Sequence, residues 1–319
     1  MWFKNILLYE ILEPFPCDST QLMERLEKRA IRPTHKTEKE TIGWVSPFGD
    51  DHEVFSHSIG GCHLLKACKE VRLLPSTVIQ ENLIKQIKQI EQTEDRKIFK
   101  REKARIKDDI IFDLLPRAFT RRVYTYLYID TVKRFIIVDS SSRATAESLL
   151  QLLRDTLGGL RLGMPDFNMT PTRLMTDWLT SYKFPSFINV EDTCELMEVQ
   201  NGDGIIRCKR QDLGADEIQN HFKSGKQVVK LGLTWKSRLS FILEQDFAIK
   251  RIQCLETITD ARKDTEAETD AEKLDADFTL MLGEFRDLIA DLTELLGGNS
   301  KDDDKKLEVH EEELEAVEV

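Results

Sequence analysis

Residues 226–236 read Lys-Gln-Val-Val-Lys-Leu-Gly-Leu-Thr-Trp-Lys. Strand alternation sends Val229, Leu231, Leu233 and Trp235 to one face, and Lys226, Lys230, Gly232, Thr234 and Lys236 to the other. The stretch therefore predicts a β-strand with one buried face and one flat basic face, on which the strand itself places no acid. Apolar runs at 238–244 and 248–254 follow closely and complete a predicted meander. Upstream, Gly-Ile-Ile-Arg-Cys-Lys-Arg-Gln (204–211) reads as a strand, and 215–223 as a short helix closed by Gly225. Neighbouring strands with short connections give an antiparallel sheet, so the expected class is α+β, a multi-lobed chain of antiparallel sheets with flanking helices.

The rest of the chain repeats these units. Residues 3–12 predict a strand stopped by Pro14 and Pro16, and 18–30 a helix capped by Asp18 or Ser19. Glycine-punctuated runs over 41–70 predict hairpins, and 122–130 with 134–139 a strand pair. Helices are expected at 144–157, 172–182 and 272–296. Between Pro75 and Leu115, Ile79, Leu83, Ile87 and Ile90 share a helix face, the stripe thins between Glu91 and Arg105, and Ile106, Ile110 and Ile111 resume it. That pattern fits two helices, or one with a solvated middle, projecting from the body and ended by Pro116. The expected organisation is an N-terminal α+β part (1–74), a projecting helical segment (75–115), an α+β region with basic strands (116–298) and an acidic disordered tail (299–319).

The 319 residues carry a net charge of −11, yet its distribution is uneven. Residues 256–319 hold 22 acids against 7 Lys/Arg, whereas residues 1–255 are net +4. Residues 85–134 hold 14 Lys/Arg against 8 acids, and residues 207–251 hold 10 against 5. A polyanion senses such local fields, not the whole-chain charge. No apolar run approaches the ~18 residues that span a bilayer, and the N-terminus lacks a signal-peptide pattern; a cytoplasmic protein without a membrane role is expected. The six cysteines form no CxxC pair and read as small buried hydrophobes.

Catalytic signatures are missing. Gly225-Lys226 lacks the rest of a Walker A motif, no GxGxxG follows a strand, and no GxSxG is present. His52-Glu53 and His57 are spaced by five residues, not the four a helical zinc site requires. Asp130 and Asp139 read as strand-end turn acids. No enzyme activity, metal or cofactor is expected. Phosphate contact is the chemistry on offer. Lys209, Arg210 and Gln211 end the strand before Lys223, Lys226 and Lys230, combining charge with an amide donor. The loop Pro116-Arg117-Ala118-Phe119-Thr120-Arg121-Arg122 sets three arginines around one aromatic, and spacing alone favours a core position for Phe119.

The opening Met1-Trp2-Phe3-Lys4-Asn5, Gly43-Trp44-Val45, Leu74-Pro75-Ser76, Leu114-Leu115-Pro116-Arg117-Ala118-Phe119, Ile129-Asp130-Thr131, Lys209-Arg210-Gln211-Asp212-Leu213, Gly225-Lys226 and Leu274-Asp275-Ala276-Asp277-Phe278 resemble, in order and to about residue 298, the recombination-associated RdgC family. The resemblance implies a ring-shaped homodimer whose basic central hole accepts double-stranded DNA without sequence preference, associated with the nucleoid and restraining RecA-promoted strand exchange. It places Arg117 and Phe119 in a loop at a dimer contact near the hole, and matches Arg210, Gln211 and Lys226 to DNA-binding positions. Arg121 and Arg122 make that loop more basic than in some relatives, and the acidic tail is longer than the usual ending. A protein–protein regulator, using its acidic C-terminal third to occupy basic sites elsewhere, is the alternative.

Overall fold

A computed structural model describes residues 1–49, 52–198, 204–263 and 269–298; the expected tail lies outside the described residues. The opening apolar run forms β1 (Asn5–Ile11). The Asp18 carboxylate caps α1 (Ser19–Glu27), accepting from the Gln21 backbone N–H at 2.8 Å. β2 (Glu40–Val45), β3 (Ser56–Ile59) and β4 (Cys62–Arg72) follow. Gly60 and Gly61 turn β3 into β4 at φ 53° and 77°, where side-chain-bearing residues are strained. Two helices, α2 (Ser76–Glu94) and α3 (Lys100–Leu114), then pack on each other through Leu83, Ile98, Ile106 and Ile110. β5 (Thr120–Asp130), β6 (Phe135–Val138), α4 (Arg143–Leu157), β7 (Leu162–Gly163) and α5 (Pro171–Ser181) lead to β8 (Ile188–Glu198) and β9 (Ile205–Lys209). The chain continues through α6 (Asp216–Lys223), β10 (Lys226–Trp235), β11 (Leu239–Glu244), β12 (Ile249–Cys254), α7 (Glu256–Lys263) and α8 (Asp270–Leu295).

Antiparallel ladders join the strands in the order β2-β4-β5-β6-β1-β12-β11-β10-β8-β9, with β3 beside β4 and β7 beside β1. β1 is the seam. Its Asn5 and Ile6 pair with β12, and its Leu7–Glu10 with β6. Ile6 and Leu8 point into a core shared with α5, α8 and β8–β12, while Leu7, Tyr9 and Ile11 point into a second core under α1 and α4. A strand covered on both faces must be apolar throughout, and this explains its unbroken hydrophobic run. The α8 stripe Phe278, Met281, Phe285, Leu288 and Leu292 faces the first core, and Thr269 opens the helix with a capping box.

The buried acid at the end of β5 is paired. Asp130 is fully buried; one oxygen accepts from the Val132 and Lys133 N–H groups, as a turn acid should, and the other from Arg286 Nε at 2.6 Å. Removing one partner of such a buried pair costs about 3–5 kcal/mol. Cys62, Cys68, Cys194 and Cys208 are buried as expected, and Cys17 and Cys254 are half-buried.

β10 departs from the expected alternation. Val228 pairs with Leu196 and Lys230 with Glu195, a register shift that sets Val229 apart. Val228, not Val229, therefore joins Leu231, Leu233 and Trp235 in the core. A bulge reverses the side-chain parity before it, so Lys226 falls on the opposite side of the strand from Lys230.

Candidate nucleic-acid interface

The face of β8–β12 opposite the α8 core forms an open groove of about 700 Å³. Lys4, Arg207, Lys209, Lys230, Lys250 and Arg251 line it, against two carboxylates, Glu195 and Glu244. Register builds its floor. Glu195 lies opposite Arg207 on β9 and Lys230 on β10, and Lys230 lies opposite Glu244 on β11. The result is a ladder of alternating sign across five strands. Arg207 Nε meets Glu195 at 2.8 Å, Lys230 Nζ meets Glu195 at 3.7 Å and Glu244 at 3.5 Å, and Lys250 Nζ meets Glu244 at 2.7 Å. Surface pairs of this kind contribute little stability, about 0–1 kcal/mol each, so the ladder mainly positions its cations. Among the described residues Lys209 and Arg251 form no ion pair, while the charge of Lys4 acts on Asp139 beside it.

Arg251 owes its place to a second irregularity. Ser240 pairs with Gln253 but Ile242 with Lys250, so β12 carries an extra residue there, and Arg251 takes φ 56°. Consecutive residues Lys250 and Arg251 thus both line the groove, while Ile249 and Ile252 on either side enter the core. Sequence reasoning missed Lys4, Arg207, Lys250 and Arg251 as site residues. Alternation in Ile205–Lys209 could have found Arg207 beside Lys209, but nothing in the sequence announces the bulge at Arg251.

Of the residues singled out from sequence, the groove unites Lys209 and Lys230. Arg210, at φ 54°, and Gln211 are exposed just beyond β9, and Lys223 is exposed on α6. Lys226, shifted by the bulge, is 16% exposed and 3.9 Å from Glu198. The acid-free face expected of this region holds within β10 alone. Glu195 and Glu244 flank Lys230, and Glu191 accepts from the hydroxyls of Thr234 and Ser240 at 2.8 and 2.7 Å. Lys236 leaves the face at a turn, with φ 48°, and meets Asp291 of α8 at 2.7 Å.

Arg117, Phe119 and Arg121 lie elsewhere. β5 stands five strand steps from β10, on the order of 25 Å. All three are exposed, and Phe119, which spacing favoured as a core residue, is 84% exposed. Phe119 directly precedes β5, whose first five residues, Thr120–Tyr124, all have exposed side chains.

Among the described residues no three metal-ligating side chains cluster. His57 Nε2 meets Asp275 at 2.9 Å, and Asp139 accepts from the Lys4 and Asn5 N–H groups at 3.1 and 2.9 Å. Burial pushes the Asp139 carboxyl above its usual range despite those donors.

A family model described as "Putative exonuclease, RdgC" matches residues 1–299. The chain belongs to the RdgC family. It is 39% identical over 301 residues to the recombination-associated protein RdgC of Proteus mirabilis, covering 94% of this chain and 100% of that one. The protein of the same name from Yersinia pestis is 37% identical over 302 residues, covering 94% and 99%. The names of these relatives associate the family with recombination, and the family model's description adds an exonuclease. No helix among the described residues is long and apolar enough to cross a membrane.

Proposed function

We propose that the chain binds double-stranded DNA without sequence preference and without catalysis, acting in recombination and replication. The observation that carries this is the groove: six cations against two carboxylates on one concave sheet face. Lysine and arginine suit phosphate oxygens, and the groove offers no paired amide side chains for reading base edges. Lys209 and Arg251, which form no ion pair among the described residues, and Lys4 beside Asp139 make the first phosphate contacts. Lys230 and Lys250 follow as phosphates compete with Glu195 and Glu244. Counterion release then drives affinity.

Membership of the family and the exposed Phe119 loop support assembly into a ring-shaped homodimer whose grooves face the duplex. A protein bound along duplex DNA obstructs homologous pairing, which supports a restraining role in RecA-promoted strand exchange, on nucleoid DNA in the cytoplasm. The test is anisotropy of random duplexes of equal length at fixed salt, with a mass measurement in solution. The reading expects affinities that vary little among sequences and a mass of two chains. A hundredfold preference for one sequence, or no binding at low salt, overturns it.

A further inference from the structure

We propose that the acidic segment 299–319 docks in the basic groove as an intramolecular stand-in for nucleic acid, so that the chain carries its own competitor. The inference rests on the groove being the DNA site for its consequence, though not for the contact itself. Three observations converge on it.

The first is the segment's origin. The family model ends at residue 299, and the relatives are covered over 99–100% of their length by 94% of this chain. The last twenty residues therefore lie beyond the family match. The second is charge. Residues 300–319 hold 9 acids against 3 lysines and no aromatic residue, and the groove carries four more cations than carboxylates.

The third is where the segment leaves the body. The chain is tied at the end of α8: Met169 N–H donates to the Leu296 carbonyl at 2.9 Å, Asn168 Nδ2 to the Gly297 carbonyl at 2.7 Å, and Asn168 N–H to the Gly298 carbonyl at 3.4 Å. The neighbouring Phe167 ring packs on Phe247, with centroids 4.5 Å apart. Phe247 lies in the turn joining β11 to β12, three residues from both Glu244 and Lys250, which line the groove. Phe247 itself belongs to the α8 core, so the exit lies near the end of the sheet that carries this turn, on the face opposite the groove. Twenty-one residues extend up to ~70 Å, enough to round the end of the sheet and run along it. Tethered so closely, the segment has an effective concentration of order millimolar.

If the segment fills the groove nine-tenths of the time, apparent DNA affinity falls about tenfold. Salt weakens the tail contact as well as the DNA contact, so the deficit shrinks as ionic strength rises.

The experiment uses the full chain. A zero-length carbodiimide joins only carboxylates and amines already in contact. In the free protein it should link acids of 299–319 to Lys4, Lys209, Lys230 or Lys250, and added duplex should suppress those links. Links confined to α2 and α3 lysines, or none from this segment, overturn the proposal. In parallel, a full-length variant with the nine acids changed to Asn or Gln should bind random duplex about tenfold tighter at low salt, with the gap closing at high salt. Unchanged or weaker binding also overturns it. Groove links with no duplex binding by either protein would uphold the tail contact and refute the DNA reading.

Discussion

Two stretches of this chain carry similar excesses of positive charge, residues 85–134 and residues 207–251, and the fold treats them in opposite ways. On α2 and α3 each residue turns by about 100° from the last, so Lys100, Arg101, Lys103, Arg105 and Lys107 radiate around the helix. Several charges are taken up locally: Arg96 binds Glu94 and Glu102, and Arg122 binds Glu70. On the sheet, register brings cations from β9, β10 and β12 onto one face. A charge excess becomes a surface only where the backbone collects it, and here a twisted antiparallel sheet does the collecting.

The two regions should also differ in how they fail. Leu231 lies fully buried beneath the groove, and Leu231→Ala should cost roughly 2–5 kcal/mol of global stability in a denaturant titration. Ile106 belongs to the small cluster that holds α2 to α3. Ile106→Ala should release amide protection in those two helices while the sheet keeps its own, as read by hydrogen exchange. Loss of sheet protection in that variant would show the two regions to be one cooperative unit.

Ion pairs sharpen the contrast. Burial opposes ionisation of Asp277, but hydrogen bonds from Arg262 and the amino terminus outweigh it and hold its carboxyl below the usual range. A depressed folded value stabilises the protein above the unfolded value near 4 and loses that stabilisation as pH falls through the folded one. Asp277→Asn should therefore lower Tm at pH 7 and flatten its fall between pH 5 and pH 2. Glu102, also held low by Arg96 but in a surface pair, should leave the Tm profile nearly unchanged when replaced by Gln.

The smallest effects concern two lysines of one strand. Lys230→Ala should lower the slope of log affinity against log salt by about one unit for random duplex. Lys226→Ala, on the other side of the bulge, should leave that slope unchanged, and neither should move stability by more than about 0.5 kcal/mol. Equal slope losses would mean that the bulge does not separate them.

Much of the fold was legible in the sequence because its signals are periodic. The meander 226–254, the strand pair around residue 132 and the stripe of α8 all emerge from apolar spacing. β8 was not anticipated, since Asn-Val-Glu-Asp-Thr intersperses polar residues on its open face. The site was legible only in part, because it depends on departures from period. One bulge removes Lys226 from the basic face and another adds Arg251, while Glu195 and Glu244 arrive from strands adjacent only in space. Phe119 was misplaced by spacing alone, since no local pattern shows that the first residues of β5 are exposed.

The central claim is that register, not charge count, makes the groove the polyanion site. Two triple variants test it, Lys4→Glu/Lys209→Glu/Arg251→Glu in the groove and Lys85→Glu/Lys88→Glu/Lys103→Glu on the helices, each assayed against random duplex across a salt series. The account predicts that the groove variant loses roughly three units of salt slope, with binding abolished at physiological salt, and that the helix variant keeps its slope within about one unit. Equal losses in the two variants, or a larger loss in the helix variant, would contradict it.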